Sequence, residues 1–137
     1  MLSLLDKVLQ AILKMLKKKD ERVLLWKNAS PTSVFETQHL TVATSGYNRV
    51  IVEALAWNAT SRCLQGVMHP VSGQNMCELM YIGNGMDKKY RRDFKIDADK
   101  KDIFIADAYY GGSTVDNTEI IPLAFYGVKS YGGGKTS

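Results

Sequence analysis

Leu2, Leu5, Leu9, Ile12 and Leu16 recur at spacings of 3, 4, 3 and 4, and no other feature constrains the chain as much. The rhythm is that of the a/d seam of a coiled coil. Val8 and Met15 at g, with Leu13 at e, widen the apolar stripe beyond what a two-stranded seam covers and favour a larger bundle. The spacing predicts a helix over residues 1–19. Two and a half heptads hold poorly alone, because a helix draws most of its stability from packing of its apolar face rather than from propensity. It must lean on copies of itself, on the rest of its own chain or on a membrane surface. The last is open because Lys7, Lys14 and the lysines at 17–19 lie off the stripe. The leading expectation is a homotrimer assembled through Leu2, Leu5, Leu9, Ile12 and Leu16.

Beyond Lys19 the apolar residues alternate in short runs punctuated by Gly, Asn, Pro and Ser. The runs 23–26, 34–43, 49–57, 62–68, 76–82, 89–96, 102–109 and 118–129 each read as a strand. Val50, Val52, Ala54 and Ala56 share one face of 49–57 and Ile51 and Leu55 the other, as expected of a central strand. Pro122 cannot donate a ladder hydrogen bond, so the last run is expected to be an edge or bulged strand. Short strands about ten residues apart, with no helices between them, predict a mainly β fold. The expected architecture is an antiparallel, jelly-roll-like β-sandwich head over 23–129, preceded by the helix and followed by a flexible Gly-rich tail at 130–137.

Of the formal net charge of +4, a surplus of +3 falls within the first 22 residues. The head is therefore nearly neutral, which argues against nucleic acid as a partner. Cys63 and Cys77 are too few for a disulfide framework and match no zinc spacing, so both read as buried free thiols. Asp6 and Lys7 interrupt the first apolar run early, which does not fit a secretory signal, and no run of about 20 apolar residues exists to span a membrane. A protein made in the cytoplasm is expected.

Three segments form a recognisable set: Leu25-Trp26-x-Asn28-x-Ser30-Pro31-Thr32-Ser33-x-Phe35, Gly46-Tyr47-Asn48-x-Val50-Ile51-Val52, and Ile120-Ile121-Pro122-Leu123-x-Phe125-Tyr126-Gly127-Val128-Lys129. Together with Arg92-x-Phe94-x-Ile96 and Tyr109-Tyr110-Gly111 they resemble small structural proteins encoded near the tail-fibre genes of phages and prophages of Gram-positive bacteria. The resemblance implies a non-catalytic tail or baseplate accessory protein, carried on the virion. Its partners would be other tail proteins and a host-surface saccharide or protein. The residues also have physical roles of their own. Trp26 beside a Pro-Thr-Ser turn is suited to cover an open end of a sandwich, and Gly127 to admit a close approach.

Catalytic chemistry finds little purchase. Gly132-Gly133-Gly134-Lys135-Thr136 lacks the leading glycine of a phosphate loop, that position being Lys129. His39 and His69 are the only histidines and neither has a catalytic spacing around it. Asp97-x-Asp99-x-x-Asp102 lacks the Gly and the late Glu of an EF-hand and reads as a solvated turn. No enzyme, catalytic residue, metal or cofactor is expected. Binding has more to stand on. Tyr81 and Asn84, and Tyr109 and Tyr110, pair aromatics with turn residues, an arrangement suited to saccharide or protein contacts from loop tips. The same rings equally suit the ends of a sandwich core. The basic run 88–92 reads as a charged strand face.

Overall fold

The computed structural model describes residues 3–57, 62–83, 89–111 and 113–130, and the side chains of 15–20, 57 and 130 lie outside the description. Helix α1 spans Leu4–Lys19. Ser3 caps it, its Oγ accepting from the Asp6 amide at 3.1 Å, and Asp6 in the first turn complements the helix dipole. Leu2 lies outside the described residues. The helix passes straight into β1 (Asp20–Lys27), three residues earlier than the alternation predicts.

Eight further strands follow: β2 (Gln38–Thr41), β3 (Arg49–Trp57), β4 (Cys63–Met68), β5 (Met76–Ile82), β6 (Lys89–Ile96), β7 (Asp102–Tyr110), β8 (Thr114–Val115) and β9 (Glu119–Ser130). They form two antiparallel sheets, one ordered β1-β9-β3-β4 and the other β2-β7-β6-β5 with β8 on β7. The chain is thus a mainly β protein with two sheets, consistent with a sandwich. The first three strands alternate between sheets, as in a jelly roll. β3–β4 is a plain hairpin and β5–β6–β7 a meander, so the resemblance to a jelly roll is confined to the first half.

β3 is central, as its two apolar faces require, with Val50, Val52, Ala54 and Ala56 buried on one side and Ile51 and Leu55 on the other. β9 is also central, between β1 and β3. The sheet tolerates Pro122 there through a bulge: Glu53 pairs with Ala124 and Ala54 with Pro122, leaving Leu123 unpaired. Asn28 fastens that bulge. Its amide donates to the Leu123 carbonyl and its Nδ2 to the Pro122 carbonyl, both at 2.8 Å.

The segments that carry the resemblance meet in space as packing elements. Trp26 covers one end of the core, with its ring centroid 6.1 Å from Phe35 and 5.0 Å from Phe125. Tyr47 lies against Gly127, where an added Cβ would fall 2.6 Å from the Tyr47 ring. Gly127→Ala is therefore expected to displace that ring and to lower stability by about 1–3 kcal/mol, the usual cost of overpacking. Chemical denaturation of the variant checks this, and an unchanged midpoint would contradict it.

Two expectations need correction. Cys63 is exposed rather than buried, because it opens the edge strand β4. Cys77 is half-buried and its thiol is pushed up to about 12 by burial, then by the Asp93 charge. The basic run is not a uniformly solvated face either. Tyr90, Arg92, Phe94 and Ile96 alternate inward along β6, and Arg92 is 0% exposed.

Candidate functional site: a tyrosine row at one end of the sandwich

Register decides which tyrosines meet. Tyr81 of β5 pairs with Tyr90 of β6, which pairs with Tyr110 of β7. One rung therefore carries three tyrosines on one face. Their rings stack in sequence, with centroids 5.0 Å apart for Tyr81–Tyr90 and 5.3 Å for Tyr90–Tyr110. All three are half-buried, and Tyr81 and Tyr90 also pack against the core. Neighbouring rings thus lie against one another, and the row forms a short aromatic stack across three strands. Half-buried rings that each carry a hydroxyl suit a polyhydroxylated ligand or a peptide better than an ion.

Charged groups border the row on the side of the other sheet. The Tyr81 hydroxyl donates to the carboxylate of Glu119, a residue buried at the start of β9. Arg62 is near enough to act electrostatically on Tyr81, and Asp116 on Tyr90. Ile120, next to Glu119, has φ of 47° with its side chain fully buried. Such a conformation is strained for a β-branched residue and persists only where the surroundings over-determine it. The strain sits one residue from the acid that anchors the row.

Burial, and then the hydrogen bond to Glu119, push the Tyr81 phenol well above its ordinary value. Tyr90 shifts the same way, mainly through burial. A phenol held protonated in the fold stabilises it fully below the unfolded-state value of about 10 and progressively less above it. Stability is thus expected to fall with rising pH beyond about 10, and Tyr81→Phe to flatten that fall. The variant should also lose roughly 1–2 kcal/mol at neutral pH, as expected for a half-buried hydrogen bond to a carboxylate. Denaturant titrations on both sides of the phenol range check the sign; an equally steep alkaline loss in the variant would contradict it.

The structure corrects the loop-tip placement of the candidate residues. Tyr81, Tyr109 and Tyr110 all stand within strands, near their ends. Tyr81 and Tyr110 join the row. Tyr109 points to the opposite face, where the Arg91 guanidinium lies 5.4 Å from its ring centroid. Asn84 lies outside the described residues. Tyr90 and Glu119 escape sequence reasoning: Tyr90 sits within a basic run, and only cross-strand register places either beside Tyr81.

The second candidate surface is the helix. Leu5, Leu9 and Ile12 are 77%, 54% and 48% exposed, joined by Leu4, Val8 and Leu13. Every described side chain of α1 is exposed, so the described part of the stripe is not buried against the sheets. Leu16 lies on the helix, with its side chain outside the description. No helix among the described residues is long and apolar enough to cross a membrane. No protein family, curated protein or solved structure matches this chain.

Proposed function

We propose that this protein is a non-catalytic accessory component of a phage tail or baseplate. In this reading it self-associates through α1, as a homotrimer, and presents its sandwich head to a host-surface saccharide or protein. The observation that carries the reading is the uncovered stripe of Leu5, Leu9 and Ile12 on a helix joined without a linker to a β head. A helix this short with its apolar face in water gains stability only when that face is covered. The tail assignment rests on the resemblance of the 25–35, 46–52 and 120–129 segments.

The tyrosine row is the contact surface in this proposal. Weak single contacts become strong when heads are gathered, since linked sites raise avidity by about 10²–10⁴. Tyr90→Ala combined with Tyr110→Ala is expected to reduce binding of the protein to host cells about tenfold or more, while the oligomeric mass stays unchanged. Binding that survives the double substitution would move the contact elsewhere. Antibody raised against the chain should label the tails of intact particles; particles that lack the protein would contradict the virion assignment.

A second reading has its own observation. Met76, Met80 and Ile82 stand exposed on the edge strand β5, and an apolar edge is a ready docking surface for another chain. In that case the head grips a neighbouring tail protein, and capture of a tail component in place of host cells distinguishes the two.

A further inference from the structure

Three acids share the turn between β6 and β7, and the fold assigns them different tasks. Asp99 accepts from the Lys101 amide at 3.0 Å and so belongs to the turn itself. The Asp97 amide donates to the Asp102 carbonyl, also at 3.0 Å, closing the hairpin and holding its two ends side by side. β2 then lies along β7 with Thr41 opposite Asp102 and His39 opposite Phe104. The His39 ring is tilted against Phe104 with centroids 4.8 Å apart, which fixes its position on the strand. As a result His39 Nδ1 approaches Asp97 Oδ2 to 3.4 Å. Donor atoms of His39, Asp97 and Asp102 all lie within 4.8 Å of one another.

We propose that His39, Asp97 and Asp102 form a binding site for a divalent transition metal of the zinc type, which fastens edge strand β2 to the β6–β7 hairpin. The donor set selects the ion. One imidazole nitrogen with two carboxylates suits zinc, cobalt or manganese, whereas calcium takes oxygen ligands only and six to eight of them. The spacing agrees: ligand bonds of about 2.1 Å in a tetrahedral zinc site place neighbouring donors about 3.4 Å apart. The Asp102 carboxylate closes the remaining distance by side-chain rotation, and solvent completes the coordination. Lys100 and Lys101 in the same turn reduce the local negative charge, so the site is one of modest affinity and depends on its nitrogen ligand. Tethering strands from two parts of the chain converts binding into added stability.

The test is titration of the full chain with zinc chloride, and separately with calcium chloride, in a Cys63→Ser background that removes the exposed thiol as a competing ligand. Calorimetry is expected to show one saturable zinc equivalent, with a rise in thermal midpoint. His39→Ala and Asp102→Asn should each weaken zinc binding about tenfold or more, since ligands matter at least as much as the outer-sphere partners whose loss costs 10–100-fold. Asp99→Asn should bind zinc as before, and far-UV circular dichroism of the variants should match the parent. No saturable binding at millimolar zinc would overturn the proposal. So would calcium binding as tight as zinc, or unchanged zinc affinity in the His39 or Asp102 variant.

Discussion

Arg92→Met is expected to destabilise the head by about 3–5 kcal/mol, the usual result of breaking a buried polar constellation from one side. The guanidinium is fully buried between the sheets. Its Nη1 donates to the Ala106 carbonyl at 2.7 Å, and its Nη2 to the Phe35 and Glu119 carbonyls at 3.1 Å each and to Asn117 Oδ1 at 3.4 Å. Burial lowers its pKa to about 10, with Asp107 and Glu36 acting the other way, so it stays cationic at neutral pH. Neither carboxylate touches it directly. Asn117 mediates, its Nδ2 donating to Asp107 at 2.8 Å and Glu36 at 3.2 Å while its Oδ1 accepts from the Ala108 amide at 2.8 Å. Methionine fills the volume but leaves three carbonyls without their donor. Arg92→Lys keeps the charge yet cannot reproduce the fork, and is expected to fall between parent and Met variant. Thermal unfolding should drop by about 10–20 °C for Arg92→Met; a shift of only a few degrees would show that the carbonyls find other donors.

The second large effect concerns assembly. Replacing Leu9 and Ile12 together by Asp places carboxylates in the seam, where unpaired burial costs several kcal/mol per group. Light scattering is then expected to report single chains, with the circular dichroism of the β head retained. Since the described helix side chains make no core, the substitutions have no route to unfolding the sheets. Loss of the β signal in the double variant would contradict that separation, and an unchanged oligomeric mass would contradict the seam.

Much of the architecture was legible because local pattern and tertiary demand agree. The alternation in 49–57 and 76–82 matches β3 and β5, and Pro122 announces the bulge that lets β9 run through the middle of a sheet. What stayed hidden depends on partners far away in the chain. Arg92 reads as surface because it ends a basic run, and only the carbonyls of Phe35, Ala106 and Glu119 make its burial tolerable. The tyrosines were visible as residues but not as a row, since Tyr90 joins Tyr81 and Tyr110 through register alone. Likewise Asp97 and Asp102 read as a solvated turn until β2 brings His39 alongside from some sixty positions earlier.

The most direct measurement is the solution mass of the unmodified full chain by size-exclusion chromatography with light scattering, across a dilution series. Three times the 15.3 kDa chain mass, dissociating only on strong dilution, is the expected result. A particle of one chain mass at every concentration would contradict self-association through the helix, and with it the gathering of heads on which the proposed binding depends.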